Sequence, residues 1–287
     1  MLAVLADIHG IGAALEAVLA DLPPQTAGIL VAGDLTRGPD DNHVIERLRA
    51  LGAHMIRGNT DEDLLHVAAG QAEPVWYTHK QYAAARWCSR QLTPAALQTL
   101  GALPEQLTFS LPGAPAIRVV HGSPRDPDEH LYPQRDPQKL ERSLEMIEEA
   151  VLVCGHTHQP WQERRGGQLA LNPGSVGLPL HGRPQAQYAL LHREGDGWRA
   201  ELRAVDYDGQ AVRWRFEESG FLEGGGAFAR ALCESAATGH DHLVPFFRYL
   251  MQIMHVDGIQ DMGAVPDAVW DAAVESFDWE GCASERD

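Results

Sequence analysis

Short apolar runs alternate with amphipathic stretches over about the first 150 residues of the chain. Each run is four or five residues long and ends beside a polar residue, which is typical of a buried strand. The stretches between them carry apolar residues at a helical spacing, so strand–helix repetition favours an α/β sheet. Predicted strands cover residues 2–6, 29–32, 54–57, 117–120 and 151–154, and predicted helices cover residues 13–22, 44–51, 76–101 with a break at Thr93-Pro94, and 138–149.

The pattern changes after residue 159. Strand-like segments at 160–164, 168–171, 187–192 and 198–205 are joined by Gly-rich turns, and a helix at 211–218 closes this region. Residues 219–287 differ again, with 12 acids against 3 bases. A Gly-rich run at 222–226 predicts a hinge, followed by helices at 227–237, 242–255 and 265–277. We therefore predict a main domain over residues 1–218 and an acidic helical appendage over residues 219–287.

Charge and cysteine usage narrow the class of protein. The chain of 287 residues has a net charge of −17, which argues against duplex nucleic acid as a partner because phosphate backbones need a basic face. The four cysteines form no C-x-x-C pair, and no apolar run approaches the ~18 residues of a membrane span. With no basic leader segment at the N-terminus, we expect a cytoplasmic protein without a membrane anchor.

Polar side chains follow five of the predicted strands. Because the carboxyl ends of strands form the ligand crevice of an open α/β sheet, we expect these side chains to lie close together. All are oxygen or nitrogen ligands, and seven are too many for one ion with an open site. Two ions can share a carboxylate, clamp a phosphate and activate a water for in-line attack; Mn, Fe, Zn and Ni all suit such ligands. The seven are Asp7, His9, Asp34, Asn59, His121, His156 and His158.

The ordered blocks ADIHG, AGDLTRG, RGNTDE, VVHGS and CGHTH resemble the calcineurin-like metallophosphoesterases, and the resemblance spans about residues 1–205. It implies an α/β fold, a four-layer α-β-β-α sandwich of two mixed sheets. It also implies two divalent ions, with Mn²⁺ favoured. Asp34 would bridge them; Asp7, His9 and His158 would complete the first site, and Asn59, His121 and His156 the second. The run NPGSVG at 172–177 resembles the smaller bacterial members.

One position departs from the family pattern. Thr60 follows Asn59, where many members have a histidine thought to protonate the leaving group, and a threonine hydroxyl is too weak an acid for that role. Small bacterial relatives also lack this histidine and often act on phosphodiesters. Replacement proton donors to consider are His79, His130 and His181. Thr60, His79 and His130 are also candidate substrate contacts, together with two arginines able to hold a phosphate oxygen, Arg37 and Arg125.

These features predict a dinuclear-metal phosphoesterase whose catalytic residues are Asp34, Asn59 and His121. The expected substrates are small phosphodiesters such as cyclic nucleotides or nucleotide esters. Alternatives are a phosphomonoesterase, a diadenosine-polyphosphate hydrolase, or a non-catalytic scaffold like the retromer subunit that shares this fold. The scaffold hypothesis predicts that some of the metal-ligand positions carry residues unable to bind metal. The appendage is expected to cover the cleft, form a contact between copies of the chain, or stabilise the domain.

Overall fold

The computed structural model describes residues 1–256 and 258–281; Asp257 and the end of the predicted appendage from Cys282 onward lie outside the described residues. Ten strands in the described part form two mixed sheets of five strands each. The first sheet has the order β10-β9-β1-β2-β3, and the second has the order β4-β5-β6-β8-β7. The strands are β1 (Leu2–Leu5), β2 (Ile29–Val31), β3 (His54–Met55), β4 (Leu107–Phe109), β5 (Ile117–Val119), β6 (Val151–Val153), β7 (Trp161–Arg165), β8 (Gln168–Asn172), β9 (Gln185–Glu194) and β10 (Gly197–Asp206).

Helices cover the outer faces of both sheets and form the end of the described chain. A short 3-10 helix, Lys80–Tyr82, joins α4 to α5, and another, Met262–Ala264, precedes α11. The α-helices are α1 (Gly12–Asp21), α2 (Asp41–Ala50), α3 (Asn59–Ala68), α4 (Pro74–Thr78), α5 (Ala83–Gln91), α6 (Pro94–Ala102), α7 (Pro137–Glu145), α8 (Gly209–Glu218), α9 (Phe221–Thr238), α10 (Leu243–Val256) and α11 (Asp267–Ser276).

The two sheets pack face to face, as the alternation of side chains along β1 shows. Leu2 and Val4 lie in an apolar layer with residues of β5, β6 and β8, between the sheets. Ala3 and Leu5 point the other way and pack against the helices that cover the first sheet. On the outer face of the second sheet, Leu140 packs with residues of β6 and β8. The predicted four-layer α-β-β-α sandwich is therefore confirmed, and β1 is buried on both faces.

Parallel pairing brings the carboxyl ends of the central strands to one edge. β1 pairs with β2 and β2 with β3 in parallel, and β5 pairs with β6 in parallel in the second sheet. The predicted strands at these positions are confirmed within one or two residues at their ends. The sequence pattern did not predict β4 or the helix α3, and helix α7 ends at Glu145 rather than at residue 149.

The C-terminal helices belong to two apolar clusters. Phe221 and Leu232 of α9 lie in the core beneath the first sheet, whereas Ala227 and Ala231 face an aromatic cluster built around Phe246. The Gly-rich run predicted as a hinge lies inside α9, where the helix bends at Gly226 with φ 62° and ψ −146°. The boundary at 218/219 stays a prediction, while the packing shows α9 shared between both clusters.

Candidate metal centre

The predicted ligands gather where the strands end. Asp7 and His9 follow β1, Asp34 follows β2, and His121 follows β5. His156 and His158 follow β6, while Asn59 is the first residue of α3. Aligned strand ends of two packed sheets thus bring residues up to 151 positions apart in the sequence into one cluster, with Asp7, Asp34 and His121 at most 2 % exposed.

The backbone at this cluster adopts a conformation that L-residues rarely take. Side chains other than glycine are strained at positive φ, and such strain concentrates at functional sites. Tertiary hydrogen bonds hold it: the amides of Ile8 and His9 donate to the Asp34 carbonyl oxygen at 2.8 and 3.0 Å. Among the described residues other than glycine, φ is positive at Asp7 (54°), His9 (49°), Asp34 (53°), Arg37 (103°), His156 (66°) and His158 (54°).

A first group of donor atoms comes from Asp7, His9 and His158. Their ligand atoms lie within 4.8 Å of one another. His158 Nε2 is 3.1 Å from His9 Nε2 and 3.6 Å from Asp7 Oδ1. The amide of His156 donates to both carboxylate oxygens of Asp7 at 3.0 and 3.1 Å, which fixes the orientation of the carboxylate.

A second group comes from Asp7, Asp34 and His121, with Asn59 alongside. Asp34 Oδ2 lies 3.4 Å from His121 Nε2 and 3.7 Å from His9 Nε2, so it faces both groups. Asn59 Oδ1 is 2.9 Å from His121 Nε2. His156 is the seventh predicted ligand, and its ring packs against that of His121 with centroids 5.0 Å apart. The structure therefore brings all seven predicted ligands together, with Asp34 between the groups.

Backbone carbonyls select the ligating nitrogen of two histidines. His121 Nδ1 lies 2.7 Å from the carbonyl oxygen of Ala32, and His9 Nδ1 lies 3.3 Å from that of Thr36. A ring nitrogen beside a carbonyl carries the proton, which leaves Nε2 with its lone pair toward the carboxylates. Nε2 of each histidine thus faces the centre of the cluster, where it could bind a metal ion once deprotonated.

Burial controls the protonation of the outer ligands. It raises the pKa of Asp7 to about 8 and lowers the pKa of His9 to about 4. Burial also lowers the pKa of His156 to about 4 and that of His158 well below its usual value. These three histidines are therefore neutral at pH 7, which is the form that ligates a metal.

Asp34 and His121 form an ion pair in this electrostatic environment. Burial opposes charge on both groups, but the attraction between them outweighs it, so the pKa of Asp34 falls below its ordinary value and that of His121 rises to about 10. A divalent cation held by both groups would take the place of the His121 proton, since metal ligands must be deprotonated.

The donor chemistry fits divalent metal ions. The set combines carboxylate and amide oxygens with imidazole nitrogens and contains no thiolate, as Mn, Fe, Zn and Ni accept. His156 Nε2 is buried and has no hydrogen-bond partner among the described residues. Because buried polar atoms are almost always paired, this nitrogen indicates a missing ligand. A metal ion would satisfy it.

Asp61 stabilises the backbone next to the cluster, a role that the sequence pattern did not reveal. Its fully buried carboxylate accepts hydrogen bonds from the amides of Leu35, Thr36 and Gly58 at 2.9 to 3.3 Å and from the Thr36 hydroxyl at 2.8 Å. Asp61 lies in the first turn of α3, and it ties that helix to the loop after Asp34.

The last residue of β8 and the loop that follows it hold the GHTH block and the Asp7 backbone in place. Asn172 Nδ2 donates to the carbonyl oxygen of Gly155 at 2.6 Å and to the Thr157 hydroxyl at 3.1 Å. The Ser175 hydroxyl donates to the carbonyl oxygen of Asp7 at 2.7 Å. The NPGSVG run thus positions the ligands from β1 and β6, and its resemblance to smaller bacterial members was the only sequence signal for this role.

Comparison with known proteins identifies the family. Residues 1–196 match the model of the calcineurin-like phosphoesterase superfamily domain. The chain belongs to the calcineurin-like phosphoesterase superfamily. Membership is consistent with the ligand blocks, four of which lie at strand ends on the edge that holds the cluster.

Individual relatives of this phosphoesterase extend the match. An uncharacterized protein of Methanocaldococcus jannaschii, MJ0912, is 26 % identical over 227 residues, which cover 72 % of this chain and 88 % of that protein. The phosphodiesterase YfcE of Escherichia coli K12 is 50 % identical over only 44 residues, or 15 % of this chain and 23 % of YfcE. A crystal structure of a Sphaerobacter thermophilus metallophosphoesterase is 27 % identical with a TM-score of 0.66, covering 83 % of this chain and 98 % of that one.

Two of the predicted substrate contacts lie beside the predicted metal ligands. His130 stands at the rim, where its exposed ring packs on His156 with centroids 4.5 Å apart. Thr60 is nearly buried; its amide donates to Asp34 Oδ1 at 2.9 Å and its hydroxyl donates to the carbonyl oxygen of Thr36 at 3.3 Å. Thr60 therefore orients Asp34, and its hydroxyl is already bonded to the protein.

Arg37 lies three residues after Asp34, with its guanidinium bonded to Asp63 at 2.5 Å. The other predicted contacts bond elsewhere. His79 bonds to Thr78 between α4 and the first 3-10 helix, and Arg125 bonds to Glu129 and to α7. His181, considered as a proton donor, bonds to Gln185 and Gln187 of β9. Of the three replacement donors, His130 contacts a predicted ligand, whereas His79 and His181 bond elsewhere in the described part of the chain.

No helix in the described part of the phosphoesterase is long and apolar enough to cross a membrane. Cys88, Cys154 and Cys233 are free and buried, so no disulfide joins them.

Proposed function

We propose that this phosphoesterase hydrolyses small phosphodiesters with two bound divalent ions, Mn²⁺ being the preferred metal, in the cytoplasm. The observation that carries the proposal is the position of Asp34 Oδ2, which faces His121 Nε2 at 3.4 Å and His9 Nε2 at 3.7 Å and so fits a carboxylate shared by two ions. Bound ions would supply an activated water and neutralise charge on the phosphate oxygens.

The residues of the chain hold and orient the reactants. Asp7, His9 and His158 would hold the first ion, Asn59, His121 and His156 the second, and Asp34 both. Asn59 Oδ1 and His121 Nε2 lie 2.9 Å apart, so a phosphate bound at the second group would contact the residues that we propose as catalytic. His130 lies at the rim, where it can donate a hydrogen bond to an ester oxygen.

Thr60 supports diester over monoester hydrolysis. Its hydroxyl donates to the Thr36 carbonyl, so the position where many family members have histidine provides no acid toward the substrate. Such a site suits a leaving group that needs little protonation. It also suits a phosphodiester, which carries one negative charge fewer than a phosphomonoester. Monoester and diadenosine-polyphosphate substrates are the alternatives, and the assay below distinguishes monoesters from diesters.

The test compares Mn²⁺-dependent hydrolysis of bis(4-nitrophenyl) phosphate with that of 4-nitrophenyl phosphate. We expect diester turnover to exceed monoester turnover and to fall at least about a hundredfold in Asp34→Asn and His121→Ala, because each removes a ligand. His43→Ala is the matched control, since His43 is exposed and pairs only with Glu16 at 3.1 Å. Faster turnover of the monoester would overturn the diester assignment.

Metal content is measured on the same proteins by elemental analysis after equilibrium dialysis. We expect about two Mn²⁺ per wild-type chain and fewer than one in Asp34→Asn, because the shared ligand is removed. Absence of bound metal in the wild-type chain would contradict the proposed metal-dependent activity and favour the non-catalytic scaffold.

A further inference from the structure

A cavity of about 140 Å³ lies beside Arg37, between α5 and the C-terminal helices. Ala84 and Ala85 of α5 form one wall, while Phe228 of α9 and Phe247 of α10 form the other. A cavity of roughly 150 Å³ accommodates one benzene ring. This space therefore fits a single six-membered ring and not a large ligand.

Aromatic faces and a cation surround the space. The rings of Phe228 and Phe247 are half-buried and meet edge to face, with centroids 6.0 Å apart. The Arg37 guanidinium carbon lies 5.8 Å from the centroid of Phe228, within range of a cation–π interaction. Such a lining favours an aromatic ring over an alkyl chain, because a ring can stack on the phenyl groups and on the guanidinium.

Polar side chains at the margin of the cavity are already occupied. Gln81 bonds to Met262, Gly263 and Val265, and the Tyr82 hydroxyl donates to the carbonyl oxygen of Gly263. Arg37 differs: Nη2 donates to Asp63, and its buried Nε has no partner among the described residues. The free donors of the guanidinium are thus the polar groups left for a ligand.

Arg37 connects the cavity to the metal centre. It follows Asp34 by three residues, and the carbonyl of the intervening Thr36 lies 3.3 Å from His9 Nδ1. Arg37 therefore belongs both to the lining of the cavity and to the loop that carries Asp34.

We infer that this cavity, which we call the aryl pocket, binds an aromatic ring carried by one ester arm of the phosphoryl substrate. The inference rests on the proposed function for the phosphate end of that substrate. It makes the C-terminal helices part of the substrate site, because Phe228 and Phe247 come from α9 and α10.

Binding is measured by calorimetry on the full chain with Mn²⁺ present, with phenylphosphonate and ethylphosphonate as probes, since neither has an ester bond to hydrolyse. We expect phenylphosphonate to bind about tenfold more tightly than ethylphosphonate, which corresponds to about 1.4 kcal/mol. The preference should fall to about twofold in Phe228→Leu and in Phe247→Leu, which keep an apolar side chain but remove the ring. Phe277→Leu is the matched control, because Phe277 is also half-buried among aromatic side chains but does not line the cavity.

Ala85→Leu provides an independent variant that leaves both rings in place. The larger side chain would fill the cavity and should remove the preference for the phenyl probe while the protein stays folded. Equal binding of the two probes by the wild type, or equal loss in Phe277→Leu, would overturn the aryl pocket.

Hydrolysis separates this inference from the proposed function. With Mn²⁺ present, 4-nitrophenyl phenyl phosphate should have a KM about tenfold below that of 4-nitrophenyl ethyl phosphate, and Phe228→Leu should remove most of this difference. Hydrolysis without an aryl preference would refute the pocket and leave the phosphoesterase activity standing. An aryl preference in binding without any hydrolysis would refute the activity and leave the pocket standing.

Discussion

At the scale of single residues, buried carboxylates divide into two kinds. Those of the candidate metal centre lie close to imidazole nitrogens, while others lie away from it and accept hydrogen bonds from the protein. Asp61 accepts bonds from three amides and a hydroxyl. Glu149 accepts from the Thr108 hydroxyl at 2.6 Å and from Arg118 at 2.9 Å. These two carboxylates are expected to stabilise the fold without contacting substrate.

Replacing Asp61 by alanine should destabilise the protein by about 3–5 kcal/mol, because three buried amides would lose their acceptor. Asp61→Asn should cost less, since one amide oxygen remains to accept. Urea unfolding followed by circular dichroism measures both. Glu62→Gln is the neighbouring control on the same helix turn; an Asp61→Ala midpoint equal to that of Glu62→Gln would contradict the role of Asp61.

Glu149 should give a pH-dependent contribution to stability. Burial opposes its charge, but the bonds from Thr108 and Arg118 prevail and lower its pKa below the ordinary 4.5. A carboxylate whose pKa is lower in the folded state stabilises the protein above the unfolded pKa, and this stabilisation is lost as the pH falls through the folded value.

Glu149→Gln should therefore be about 1–3 kcal/mol less stable than wild type at pH 7, with the difference shrinking below about pH 4. Urea midpoints at pH 7 and pH 3.5 measure it. Glu141→Gln serves as control, because Glu141 pairs with Arg165 while 55 % exposed. A difference for Glu149→Gln that stays constant across this range would refute the assignment.

At the scale of elements, the strands at the metal edge were predictable and the joining segments were less so. The short apolar run before Asp7 predicts a strand buried on both faces, and both faces of β1 are buried. β4 was missed because it has only three residues, too few for its alternation of apolar and polar positions to be distinctive, and none of them is buried. Helix α3 was missed because it begins within the ligand block RGNTDE, where Asn59 is both a predicted metal ligand and the first residue of the helix. The role of Asp61 was not predicted because its hydrogen-bond donors come together only in the tertiary fold.

The bend in α9 makes a separate prediction. Gly226 adopts a backbone conformation that is open essentially to glycine alone, and a Cβ there would meet no other atom. Gly226→Ala should therefore cost about 1–3 kcal/mol through backbone strain alone. Gly101→Ala, in α6 with equal space around it, should instead stabilise by roughly 0.5–1 kcal/mol. Thermal unfolding of the two variants compares them; a stabilising Gly226→Ala would show that the bend is not fixed by Gly226.

At the scale of the whole molecule, residues 262–271 contact the first half of the chain through polar side chains. Gln81 makes three hydrogen bonds to residues 262–265, and Lys80 pairs with Asp271 at 2.5 Å. These contacts hold α11 close to the 3-10 helix before α5, which is also the margin of the aryl pocket. The acidic character of residues 219–287 does not prevent this docking, since Lys80 faces an acidic residue.

Gln81→Ala should loosen this attachment and speed amide hydrogen exchange in α11 about tenfold, because three hydrogen bonds are lost. Exchange in β1 should stay close to wild type, since the sheet core is untouched. Gln138→Ala, a substitution on the exposed face of α7, is the control. Unchanged exchange in α11 would mean that the aromatic cluster alone holds the helix in place.

The distant sequence positions of the two halves of the substrate site have a consequence for synthesis. β10, which completes the first sheet, ends at Asp206, whereas Phe247 lies 41 residues later. At 5–20 residues per second, a ribosome needs roughly 2–8 s to add that stretch. During this interval the nascent chain holds every predicted metal ligand but lacks the second ring of the aryl pocket, so metal binding by the proposed site would precede its selection of an ester.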